Sequence, residues 1–167
     1  LREQVSASEQ QLMQFRERED ALLFADQDKN VITEQVNTLT AEYAQAKADR
    51  IRLETKLNAL RRLQAADLPE TGFPEIQQDP IIQSLRQQRS QLVMELGESL
   101  ETYKEAHPVI REKRSRIAGI ETRLQEQIDT IRTSLETDYD IVRGREQSLY
   151  TNIQRLKEES IELSKQT

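Results

Sequence analysis

His107 is the only imidazole in this chain of 167 residues, and there is no Cys. One His without a thiolate cannot assemble a familiar zinc set. Hydrolysis by Ser, His and Asp needs a concave, dry site that holds the three together, which thin helices do not supply. Neither a phosphate-cradling GxxxxGKS/T nor a GxGxxG after a strand occurs. Carboxylate pairs such as Glu158-Glu159 read as solvated helix charges. No catalytic constellation results, so neither an enzyme nor a cofactor is expected. What stands out is Tyr103, His107, Pro108 and Ile110, a tyrosine followed by a short polar spacer and a His-Pro step. Proline disfavours helical torsions in the residue before it, so His107 is expected to be extended and Pro108 to open a new helix.

The elements that must carry this step are helices. Hydrophobic residues make up 35% of the chain and aromatic ones 4%, too little to fill one large core but enough for narrow seams on long helices. Disorder would suit so polar a chain, except that its apolar residues recur at regular spacing. The net charge of −6 is interleaved rather than blocked, which argues against nucleic acid and fits the outer faces of a coiled coil. No run approaches the ~20 apolar residues of a membrane span. The chain starts at Leu1 without a signal-peptide pattern and is expected to be a fragment of a longer protein.

Four helical segments are predicted, at about 1–24, 29–66, 80–105 and 108–165, with loops at 25–28, 67–79 and 106–107. The first has a heptad seam of Leu1, Val5, Ser8, Leu12, Phe15, Glu19 and Leu22. It is expected to stop in the polar cluster Ala25 to Asn30, where Asp28 or Asn30 would cap the second helix. That second seam reads Ile32, Val36, Leu39, Tyr43, Ala46, Arg50, Leu53, Leu57 and Leu60. Only Arg50 interrupts it, and its head is expected to reach water. Pro69, Pro74, Pro80 and Gly72 exclude helix interior from the next stretch, where Phe73 and Ile76 would tack the loop down.

Asp79-Pro80 is a cap followed by proline at the first helical position. The third face carries Ile82, Leu85, Leu92, Leu96, Leu100 and Tyr103, with Gly97 a weak point. In the fourth segment Ile117, Ile120, Leu124, Ile128, Ile131, Leu135 and Tyr139 follow eleven-residue repeats. Heptads return through Val142, Glu146, Leu149, Ile153, Leu156, Ser160 and Leu163. Gly119 and Gly144 mark either close helix approach or simple tolerance.

The sequence Leu100-x-x-Tyr103-x-x-x-His107-Pro108-x-Ile110, with an amphipathic helix after it, resembles the periplasmic coiled-coil region of polysaccharide co-polymerases. These are the Wzz/GumC-type chain-length determinant and exopolysaccharide transport proteins. The stretch from Leu1 to Arg16 is similar to the family's Leu-Arg-x-x-Leu-x-x-x-Glu-x-x-Leu-x-x-Tyr/Phe-Arg pattern, and Asp79-Pro-Ile-Ile-Gln-Ser-Leu-Arg86 to the segment preceding its His-Pro helix. The resemblance covers nearly the whole chain in the family's order. It implies the periplasmic region of a bacterial inner-membrane protein that oligomerises and controls the polymerisation length or export of capsule, exopolysaccharide or O-antigen. An outer-membrane export protein, a polymerase and the nascent polysaccharide are the implied partners, and some members add a cytoplasmic tyrosine kinase domain. Arg61-Arg62 and the run from Arg111 to Arg116 could touch an acidic glycan, although solvated faces account for them better.

The fold expected is all-α: elongated antiparallel coiled-coil hairpins, up-down-up-down, with reversals at all three breaks. Against reversal at Pro108, the spacing runs nearly in phase through Tyr103, His107 and Ile110, as in a kinked continuous helix. Two other readings compete. A periplasmic adaptor hairpin of a tripartite efflux or secretion pump would carry an Arg-Leu-x-x-x-Leu-Ser type tip, which is absent. A cytosolic structural coiled coil explains the heptads equally well but not the His-Pro step.

Overall fold

The computed structural model describes residues 2–63 and 73–166. Among these the chain is helical, in the order α1 (Arg2–Arg61), α2 (Pro74–Gln77), α3 (Pro80–Thr102) and α4 (Pro108–Lys165). Two compact units divide it: Leu1–Arg50 with Ile141–Thr167, and Ile51–Asp140.

The expected turn at 25–28 is absent, since α1 runs unbroken through it. Asp28 and Asn30 are therefore helix interior rather than caps. The polar cluster has neither Gly nor Pro, and each of its residues costs at most about 0.7 kcal/mol relative to Ala in a helix. The inward face also stays in phase, because half-buried Ala25 and Lys29 link Leu22 to buried Ile32 in steps of three, four and three. Thr33 Oγ1 donates to the Lys29 carbonyl at 2.8 Å, which accommodates its polar side chain on the helix itself. Up-down-up-down topology loses its first reversal.

In the first unit, Ile32 and Ala46 of α1 are buried, as are Leu149, Ile153 and Leu156 of α4. Val36, Leu39 and Tyr43 are half-buried between them in sequence. Tyr43 meets Tyr150, ring centroids 6.1 Å apart and tilted by 44°. Arg50 does not send its head to water as expected: its guanidinium pairs with Glu146, and the side chains are only 24% and 12% exposed. Each seam has one charged interruption here, and the two meet. A half-buried charge without a partner would cost heavily, so this pair favours one register. The seam of residues 5–22, by contrast, finds no partner among the described residues. Val5, Leu12, Phe15 and Leu22 are 48–59% exposed.

The second unit gathers Leu53, Leu57 and Leu60 of α1, Ile76 of α2, Ile82, Leu85 and Leu96 of α3, and Ile110, Ile120, Leu124, Ile128 and Leu135 of α4 into buried positions. Ile117 and Ile131 are half-buried on the same helix. Ile76, Ile82, Ile110 and Ile128 are fully covered, each worth roughly 1.5–3 kcal/mol over an exposed side chain. Leu100 departs from the expected seam at 37% exposed, lying in the last turn of α3 before the chain turns away.

Instead of running to residue 66, α1 ends at Arg61. Arg62 and Leu63 donate to the carbonyls three residues earlier, the tighter pattern that closes a last turn. The expected helix at 64–66 and the loop part at 67–72 lie outside the described residues. The rest of that loop is not wholly irregular, since Pro74 opens the short α2 and Ile76 anchors it, as expected of that residue. Phe73 is half-buried at the cap position of α2. Glu75 pairs with Lys56, joining α2 to α1. The cap expected at Asp79-Pro80 is present: Asp79 Oδ1 accepts from the backbone N–H of Ile81 at 2.9 Å and of Ile82 at 3.0 Å.

Candidate functional site at the Tyr103 to Ile110 turn

α3 stops at Thr102, three residues short of the expected end, because Tyr103 turns extended at φ −117° and ψ 151°. Its N–H still closes the helix on the Ser99 carbonyl at 2.8 Å. Tyr103 therefore leaves the α3 seam, and its ring stacks on that of His107, centroids 4.1 Å apart and planes inclined by 25°. His107 N–H donates to the Lys104 carbonyl at 2.9 Å, and the His107 carbonyl accepts from Arg111 N–H at 3.1 Å, the first bond of α4. His107 Nδ1 accepts from Val109 N–H at 3.2 Å, so the ring caps α4. Pro108 occupies the first helical position, where its missing N–H costs nothing. Ile110 is fully buried two residues later.

Each motif residue thus has a place: Tyr103 stacks, His107 caps, Pro108 opens α4 and Ile110 anchors it. Across the turn, Arg114 holds the Glu105 carboxylate through two N–H bonds, one of them 2.9 Å long. That contact draws Glu105 below the ordinary carboxylate range and raises the Arg114 guanidinium. Sequence reasoning missed this pair; its signal was a carboxylate and a guanidinium nine residues apart with a helix break between.

Beyond the turn, Lys113 Nζ reaches Glu95 at 3.3 Å and Arg89 reaches Glu121 at 3.1 Å. Gln127 Nε2 donates to Asp79 Oδ2 at 3.2 Å, so the α3 cap residue also touches α4. Glu95 is held below the usual carboxylate range chiefly by its hydrogen bond from Lys113, then by one from Gln91. An open groove of about 720 Å³ lies along these helices, lined by Gln87, Gln88, Gln91 and Glu95 of α3 and Arg116, Gly119 and Arg123 of α4. A Cβ added at Gly97, Gly119 or Gly144 would meet nothing within 4 Å, so these glycines permit no close helix approach and are simply tolerated.

Arg61 and Arg62 are exposed. Among the described residues no group of three or more His, Asp and Glu side chains is placed to hold a metal ion. Nor is any described helix long and apolar enough to cross a membrane. No protein-family model, curated protein or solved structure matches the chain.

Proposed function

We propose that this chain is a helical scaffold, the periplasmic coiled-coil part of an inner-membrane protein that sets the length or governs the export of surface polysaccharide. The observation that carries this reading is the Tyr103, His107, Pro108 and Ile110 motif, whose resemblance to the co-polymerase family first suggested it. All four residues have structural roles in one short turn. A second support is the order of contacts beyond that turn. Glu95 with Lys113, Arg89 with Glu121 and Asp79 with Gln127 step away from it on both sides, as in an antiparallel hairpin. Arg50 with Glu146 and Tyr43 with Tyr150 follow the same rule in the first unit. Each unit is read as an antiparallel coiled coil, acting by presenting helices to other copies, to an outer-membrane export partner and to polysaccharide.

The test is made in cells carrying the parent gene. Leu96→Asp combined with Ile110→Asp places carboxylates at buried positions on both sides of the turn and is expected to change polysaccharide chain length. Normal length with a demonstrably unfolded coiled coil would contradict the proposal. Apolar spans of ~20 residues encoded on both sides of the fragment are expected as well.

A further inference from the structure

Within the second unit, Lys113 pairs with Glu95, Arg114 with Glu105 and Arg89 with Glu121. Arg116 and Arg123 differ from these three. Among the described residues neither forms an ion pair, and both are exposed along the open groove between α3 and α4. Of the cations from Arg111 to Arg116, only Arg116 lines that groove. Arg123 follows seven residues later, two helical turns on and therefore on the same face, roughly 10 Å along the axis.

The α3 side of the groove is a wall of amides, Gln87, Gln88 and Gln91. Gln88 and Gln91 each give one N–H bond within α3, to Ser84 and Glu95. Their carbonyl oxygens and the whole Gln87 amide remain for a ligand. Half-buried Leu92 and buried Ile120 lie deeper and make the floor apolar. A Cβ added at Gly119 would meet nothing within 4 Å, so the space over that residue is open. Glu95 is the one carboxylate in the lining, and Lys113 Nζ already holds it at 3.3 Å.

We propose that this groove binds a segment of acidic polysaccharide. Arg116 and Arg123 engage carboxylates of its uronic acid units, and the glutamines engage its hydroxyls. The separation of the two arginines is about the reach of one disaccharide, so a glycan with an acid on every second sugar matches both. A hydroxyl donates and accepts, as an amide does, whereas phosphate and carboxylate oxygens only accept. The glutamine wall therefore suits a sugar better than a polyphosphate. The C–H faces of the sugar rings rest on Leu92 and Ile120. A packed apolar helix does not fit the groove, because it would bury two guanidiniums without carboxylates. At about 720 Å³ the groove falls in the usual range for small-ligand sites, roughly 300–1,000 Å³.

This inference rests on the polysaccharide reading and gives it a place of contact. Its test is independent of the one in cells. Absence of binding overturns the groove and leaves the chain-length experiment untouched. Normal chain length in cells with an unfolded coiled coil contradicts the scaffold and leaves measured binding standing.

The experiment titrates the isotope-labelled 167-residue chain with a galacturonate tetrasaccharide, followed by NMR of side-chain amide and guanidinium N–H signals. A neutral glucan of the same length and an oligoglutamate of the same charge serve as comparisons. Saturable shifts are expected at Gln87, Gln88, Gln91, Arg116 and Arg123 with the uronate. Arg116→Gln combined with Arg123→Gln is expected to weaken binding about tenfold, as the loss of two exposed ion pairs implies. Gly119→Leu should weaken it comparably by filling the groove, with helix content kept because leucine favours helix over glycine. Arg61→Gln with Arg62→Gln, exposed but outside the groove, should leave the affinity unchanged. The proposal is overturned by an absence of saturable shifts or by native affinity in either groove variant. Equal weakening by the Arg61 and Arg62 changes also overturns it. Equal binding of the neutral glucan would remove the arginines' role, and equal binding of oligoglutamate would make the occupant an acidic peptide.

Discussion

Glu75 ties α2 to α1 beside the buried anchor Ile76. Its carboxylate pairs with Lys56, and Oε2 is buried without a hydrogen-bond partner among the described residues. The hydrogen bond from Lys56 holds the group below the ordinary value of 4.5, against the opposing pull of burial. Because the folded value lies below the unfolded one, the pair stabilises the fold above about pH 4.5 and stops doing so as pH falls through the folded value. Lys56→Met is expected to cost about 0.5–1 kcal/mol at neutral pH. The gap from the native chain should narrow as urea denaturation is repeated below pH 4.5. A gap that stays constant with pH would show that the pair contributes nothing through its charge. Neither partner is legible in the sequence, since they lie nineteen residues apart with Pro69, Gly72 and Pro74 between them. Arg50 is legible as a seam interruption, and Glu146 likewise; that they meet depends on knowing which helices pair.

The helices themselves follow from spacing more faithfully than their ends do. Every position of the α4 seam from Ile117 to Leu163 is buried or half-buried, because apolar steps of three and four leave a helix only one face to cover. The turn expected at 25–28 rests on treating polar residues as breakers, when the propensity cost is small and the seam stays in phase. The exposed face from Val5 to Leu22 differs in kind: its residues do form a heptad pattern, but periodicity alone cannot say what covers it. Helix ends depart from expectation for local reasons, as at Tyr103, where stacking on His107 wins over one more turn of α3. The glycines give a test at this scale. Nothing stands near Gly97 or Gly119 to obstruct a methyl group, and each is helical. Gly97→Ala and Gly119→Ala should each raise stability by about 0.5–1 kcal/mol. Destabilisation by either would mean that close helix approach, rather than tolerance, explains the glycine.

At the scale of the whole chain, the all-helical class is legible from composition and period, and the functional reading comes from the order of motifs rather than from any chemical group. The candidate site is a turn in which four residues secure the start of a helix. Its consequence depends on direction. If Tyr103 to His107 sends the chain back, α3 and α4 form a hairpin that can present its turn to a partner. If the chain continues onward, the motif is only a kink. The contacts of Glu95, Arg89 and Asp79 with α4 favour return. The absence of Cys permits a direct measurement. Spin labels on Gln88→Cys and Thr122→Cys should lie within about 25 Å of each other if the helices pack side by side at the usual 8–10 Å between axes. A separation near 50 Å, as in one continuous helix rising about 1.5 Å per residue, would contradict the account.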